Sequence, residues 1–237
     1  MKLFFLDYNK EGPGVDKDAP PKVGLELFFD LFAREFTSLI KLNIYFIISC
    51  IPIVTIGPAI GALTAVTMRM VQDRPSDIFY DFKEAFKKNW KYSFISGITA
   101  IIFMIVIWYS IKFCIESDGI IYNLMISFIV VVAVLLGLSS IYVYPMIVKI
   151  ELPLKVIFRN AFLLGIVNIK YSLITFLLSI GLLEISIIFM PFTLPVMLLF
   201  TFSAISFISS FCAWNGLKKY IIKEHENSDT NKELNNE

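Results

Sequence analysis

Apolar positions run along this chain in long blocks separated by short charged stretches. Residues 39–71 carry only Lys41 and Arg69 as charges, and that block is interrupted by Ile51-Pro52-Ile53-Val54-Thr55-Ile56-Gly57-Pro58-Ala59-Ile60-Gly61. Two prolines and two glycines inside a membrane-scale segment require the backbone to break or turn there. Further apolar blocks at 94–113, 120–148, 171–190 and 194–214 reach the roughly 20 residues that cross a hydrocarbon core about 30 Å thick. The pattern predicts an all-α, polytopic membrane bundle with about six membrane-embedded helices, the first two forming a Pro/Gly-broken hairpin. A hairpin gives six crossings, or five plus a half-span; if 36–71 is instead one broken helix, five crossings result.

Between the blocks the period changes to that of surface helices. Leu25, Phe28, Phe29, Phe32, Phe36 and Leu39 recur at helical spacing opposite Glu26, Asp30, Arg34 and Ser38, which predicts an interfacial helix over 23–38. Ile78, Phe79, Phe82, Phe86 and Trp90 line one face of a second amphipathic helix, with Ser76 as its N-cap and Asp77 in its first turn. A third, with Phe158 and Phe162, opens near Pro153. Both of the latter are expected to face the cytoplasm. Gly57, Gly61 and Ala65, four residues apart, form a small-residue stripe that lets another helix approach closely.

Phe82-Lys83-Glu84-Ala85-Phe86 corresponds to Phe158-Arg159-Asn160-Ala161-Phe162, and Asn89-Trp90-Lys91-Tyr92-Ser93 to Asn168-Ile169-Lys170-Tyr171-Ser172. A short insertion aligns both pairs, which suggests an internal repeat of 58–113 in 134–190. The expected organisation is a polar leader over 1–22, one transmembrane domain over 23–217 and a polar tail over 218–237. Leu3 to Leu6 is too short for the apolar core of a signal peptide. Basic residues collect at 69–91, 149–170 and from Lys218 onward, so these regions and the C-terminus are placed on the cytoplasmic side, and a hairpin puts the N-terminus there too.

Composition narrows the function classes. A hydrophobic content of 57%, 23 Phe and a mean hydropathy of +0.74 lie outside the soluble range. With a net charge of +1 and no basic stripe interleaved with aromatics, nothing points to nucleic acid. Cys50, Cys114 and Cys212 lack CxxC spacing, and His225 is the only histidine, so neither a His-based metal site nor a catalytic triad has material. No Gly-Lys dipeptide occurs, so the chain has no phosphate-gripping loop. No cofactor is expected.

The residues Ile51-Pro52-Ile53-Val54-Thr55-Ile56-Gly57-Pro58, followed by Asp81-Phe82, Phe86-Lys87-Lys88-Asn89 and Tyr144-Pro145, resemble the YesL family of bacterial membrane proteins, a domain of unknown function. Similarity is densest in the first third and becomes generic hydrophobicity in the last. The resemblance implies no catalytic residues. Because family members are linked with carbohydrate ABC importers, it implies a non-enzymatic accessory or scaffold component of oligosaccharide uptake in the bacterial inner membrane, contacting a permease or ATPase subunit. A small transporter or channel is the alternative, and a membrane enzyme comes third.

Three sets of residues are candidates for function. Pro52, Thr55, Gly57, Pro58, Gly61 and Ala65 shape the turn and the close approach. Phe82, Phe86, Asn89, Trp90, Phe158 and Phe162 could dock on a cytoplasmic partner, or lie in the headgroup layer with their rings toward lipid. Glu184 is the one acidic residue deep in a span; it either serves a function there or pairs with Lys112 or a hydroxyl to hold two helices in register. Asn43, Asn123 and Thr55 are expected to hydrogen-bond across helices.

Overall fold

The proline- and glycine-rich stretch turns the chain back on itself. In the computed structural model, which describes residues 22–117 and 119–222, α1 (Leu25–Arg34) leads into α2 (Phe36–Cys50), and a 3-10 turn at Ile53–Thr55 precedes α3 (Ile56–Val71). Thr55 closes the turn locally: its backbone N–H donates to the Pro52 carbonyl at 2.9 Å, and its hydroxyl lies 2.6 Å from the same oxygen. Arg34, just before α2, forms an ion pair with Asp73, just after α3. One broken helix continuing in a single direction would hold these residues about 58 Å apart. The two helices are therefore a hairpin. The leader up to Pro21 and the tail beyond Ile222 lie outside the described residues.

The remaining elements are α4 (Ile78–Lys88), α5 (Trp90–Ile115), α6 (Ile120–Lys149), α7 (Leu154–Val167), α8 (Ile169–Ile188), the stub α9 (Leu194–Val196) and α10 (Phe202–Leu217). A π-helical turn at Met197–Thr201 joins α9 to α10. The described residues contain no strand. Five stretches are long and apolar enough to cross a membrane: Ile53–Val71, Trp90–Ile115, Ile120–Lys149, Ile169–Ile188 and Leu194–Tyr220, while Phe36–Cys50 is shorter.

α3 is the axis of the bundle. All of its residues except Ile56, Ile60 and Arg69 are buried, and it packs on α2, α4, α5, α6 and α10. The side chains that make this possible are the missing ones. A Cβ on Gly57 would stand 2.6 Å from the Ser93 carbonyl oxygen, one on Gly61 would stand 2.2 Å from Ser93 Oγ, and one on Gly97 would stand 3.0 Å from the Gly57 Cα. The helix that approaches the small-residue stripe is thus α5, at the first two turns of its length. Ala65 is buried one turn further along α3.

α3 ends in a Schellman motif: Arg74 N–H donates to the Arg69 carbonyl at 3.1 Å and Asp73 N–H to the Met70 carbonyl at 3.0 Å. Asp73, with φ of 53°, occupies the left-handed position where glycine is usual. Its carboxylate is the one that Arg34 holds, so the motif also fastens the open end of the hairpin.

The short helices depart from the expectations set by periodicity. The N-cap of α4 is Asp77, which accepts from the Tyr80 N–H at 3.1 Å; Ser76 stands one residue too early. The first amphipathic stretch breaks at Glu35, and it does more than lie at an interface. Phe28 meets Phe211 at 5.2 Å and Phe207 at 5.7 Å between centroids, while Phe32 meets Phe200 and Phe207, both at 5.7 Å, so α1 packs along the π-helical turn and α10 and joins the first described helix to α10.

The aligned stretches share one local design. α4 runs to Asn89 (φ −99°, ψ 9°) and hands over to α5; α7 runs to Asn168 (φ −99°, ψ 30°) and hands over to α8. In the second stretch glycine again sets the approach, because a Cβ on Gly165 would stand 3.3 Å from Leu138 C and one on Gly137 2.4 Å from the Phe176 ring.

The two α3 glycines differ in what opposes them, which gives a paired test. Gly61→Ala overpacks against a side chain and should lower stability by about 1–3 kcal/mol, with most of the loss recovered in Gly61→Ala/Ser93→Gly. Gly57→Ala meets backbone, so Ser93→Gly should not rescue it. Thermal unfolding midpoints in detergent read both outcomes; equal rescue of the two would contradict the packing.

Candidate functional site

The charged stretches converge at the end of the bundle where α3 and α6 finish. Arg69 on α3 forms an ion pair with Asp81 on α4 and lies 3.8 Å from Glu84. Lys149, the last residue of α6, donates to Gln72 Oε1 at 2.9 Å, and Lys88 lies 3.8 Å from Glu151. Asp81 is the buried member of this group: its side chain is 6% exposed against 40% for Arg69, and its Oδ2 has no protein partner among the described residues. A carboxylate held in that setting depends on its cation, because an unpaired buried charge is costly. The periodicity of α4 placed Asp81 on no particular face; burial beside Arg69 is legible only in three dimensions.

The candidate docking residues differ in how far they are buried. Phe82 is 6% exposed and belongs to the core formed with α3, Phe86 packs against that core, and the Phe86 ring meets Trp90 at 5.1 Å. The Phe82 ring is therefore taken up inside the protein, and the Phe86 ring is only partly exposed. Asn89 is the hinge between α4 and α5, and Trp90 stacks over Phe94 at 6.5 Å. Phe158 packs on the second core, around α6 and α7, whereas Phe162 is partly exposed. On α4 the outward aromatic residues are Phe79 and Tyr80, with the Lys83 ammonium 5.9 Å from the Phe79 ring centroid.

Inside the apolar blocks, several of the buried polar groups serve neighbouring helices. Asn43 on α2 donates to the carbonyls of Met197 and Leu198 at 3.2 and 2.7 Å and accepts from the Ser203 N–H at 2.9 Å. These are groups around the π-helical turn, where the regular backbone ladder is interrupted. Thr67 on α3 lies 3.0 Å from Ser206 Oγ and 2.8 Å from Ser210 Oγ on α10. Tyr142 on α6 meets Ser172 on α8 at 2.9 Å, with Cys212 on α10 3.8 Å away. Asn43 therefore does bond across helices. Thr55 instead serves its own turn, and Asn123 is exposed on the first turn of α6.

Glu184 lies exposed on α8, one turn before its end, and Lys112 has its carboxylate neighbour at the C-cap of α5, Glu116 at 3.8 Å. The two are not paired with each other. Among the described residues no three His, Cys, Asp or Glu side chains converge as metal ligands.

Residues 39–111 match a family described as "Protein of unknown function, DUF624". That segment is a minority of the chain, but it contains the hairpin turn, the whole of α3, the Arg69–Asp81 pair and most of α5. No curated protein and no solved structure matches the chain. The matched residues take in α3 and its contacts with α2, α4 and α5, and they bring no activity with them.

The asymmetry of the Arg69–Asp81 pair gives a test. Arg69→Ala strands a buried carboxylate and should cost about 1–3 kcal/mol or more, whereas Asp81→Asn leaves an arginine that water can still reach and should cost less. Arg69→Ala/Asp81→Asn should be more stable than Arg69→Ala alone. Unfolding midpoints of the three variants check the order; additive losses would contradict the pairing.

Proposed function

We propose that the protein is a non-enzymatic membrane component that acts as an accessory or scaffold subunit of a carbohydrate ABC importer. The observation that supports this reading is the disposition of polar groups: Asn43, Thr67, Tyr142, Ser172 and Ser210 are taken up in helix-to-helix bonds, while α5, the first half of α6 and α8 present apolar faces outward. A hydrated path for a sugar needs polar side chains free to bind it, and a subunit that assembles with other membrane helices needs apolar surface. The link to carbohydrate import comes from the resemblance of the turn and α4 motifs to the YesL family. In this reading the chain sits in the bacterial inner membrane with Arg69, Lys87, Lys88 and Lys155 on the cytoplasmic side, following the positive-inside rule, and both termini are cytoplasmic.

Purification from native membranes in mild detergent tests this. The expected result is a stoichiometric permease or ATPase subunit, with amine cross-links from Lys87 or Lys155 to the ATPase. Isolation of the chain alone, together with oligosaccharide flux in liposomes containing only this chain, would contradict it and favour a small transporter.

A further inference from the structure

The first arm of the α2–α3 hairpin is short for a bilayer, and the tip is apolar. At 15 residues α2 reaches about 22 Å, less than a hydrocarbon core of about 30 Å, and Ile53–Val71, its 3-10 turn included, reaches about 30 Å only if it stands upright. Tilt can only shorten that span. Ile51, Ile53 and Val54 at the turn are 76%, 80% and 63% exposed, and no charge occurs between Lys41 and Arg69. A turn that emerged into water would be expected to carry polar residues, as the α5–α6 turn does with Glu116 and Ser117.

α5 supplies a ruler for the depth of this tip. Gly57, at the start of α3, is pinned against Ser93 and Gly97 in the first two turns of α5. From Gly97, α5 continues about 16 Å to Trp108 and Tyr109, exposed aromatic residues of the kind that mark a membrane interface. Ile53 is separated from Gly57 by only a 3-10 turn, about 8 Å at 2 Å per residue, so the tip ends well short of that belt. The charged cluster at the opposite end, Arg34 with Asp73 and Arg69 with Asp81, fixes where the hairpin meets the headgroups.

We infer that the α2–α3 hairpin is re-entrant: it enters and leaves the bilayer on the same side as its charged end, and its Ile51–Val54 tip is covered by lipid acyl chains rather than by water or another protein. Part of the turn's polar backbone is already satisfied, since the Ile51 and Thr55 N–H groups and the Thr55 hydroxyl all bond locally. The structure that matches the family of unknown function is then an anchored, non-crossing wedge followed by one full crossing, α5.

Spin labels report which of three environments covers the tip, whichever way the protein faces. A nitroxide would be placed at Ile53→Cys, and separately at Val54→Cys, in a Cys50→Ala background, leaving the buried Cys114 and Cys212 in place. Labels at Ile105→Cys and Glu116→Cys on α5 serve as lipid-facing and water-facing references in liposomes of purified protein. The expected ratio of oxygen to nickel-chelate collision rates at both tip positions is severalfold above that at residue 116 and close to that at residue 105. A ratio like that of residue 116 would overturn the inference in favour of a tip in water. Low collision rates with both reagents would overturn it in favour of a protein partner.

Discussion

Everything in this bundle depends on how closely α3 and α5 approach. Backbone meets backbone at Gly57 and Gly97, and the Ser93 side chain meets Gly61. Lipid acyl chains are as apolar as the helices they surround, so association has to come from contact area and from polar bonds, and small residues increase both. Once α5 is fixed on α3, α4 must lie back along α3, because only Asn89 separates the two helices. That placement carries Phe82 into the core and Asp81 to Arg69. The hairpin partner α2 then meets α10 through Asn43, and α1 closes the far side through its phenylalanines.

The second set of helices solves the same problem with less burial. α7 lies on α6 through Gly165, and Gly137 accepts the Phe176 ring, but α8 and the outer half of α5 and α6 remain exposed along most of their length. The result is a protein with a tightly made end, where α3 and its charged neighbours sit, and an end of long apolar helices available to lipid or to other chains. Polar residues within the apolar blocks reinforce the first of these features: a hydroxyl on α3 answers two on α10, and an amide on α2 bridges carbonyls around a π-helical turn.

The parts of the fold that were legible in the sequence are those that depend on composition and local backbone chemistry. Apolar blocks show the long helices, Pro52, Gly57 and Pro58 show the turn, and the spacing of Gly57 and Gly61 shows a close approach, although not to which helix. What the pattern could not show is what an apolar face is turned toward. The stripe Phe82, Phe86 and Trp90 has one periodicity whether it faces lipid, a partner or the protein's own core, and only the position of α3 decides among them. Long-range polar pairs were invisible for a similar reason: Arg34 and Asp73, or Asn43 and Ser203, are far apart in sequence. The Asp77 cap was missed by one residue because Ser76 and Asp77 are both good capping residues, and the backbone chooses between them.

A disulfide between α3 and α5 measures the central contact directly. A Cβ on Gly61 would stand 2.9 Å from the Ser93 Cβ, slightly inside the roughly 3.5–4.5 Å of a disulfide, so bond formation needs only a small separation of the helices. In Gly61→Cys/Ser93→Cys, oxidation in native membranes should join the two helices in nearly every molecule, seen as full protection of both thiols from alkylation after denaturation and its reversal by reductant. Two thiols that stay fully alkylatable after oxidation would contradict the α3–α5 contact and with it the order of assembly described for the rest of the bundle.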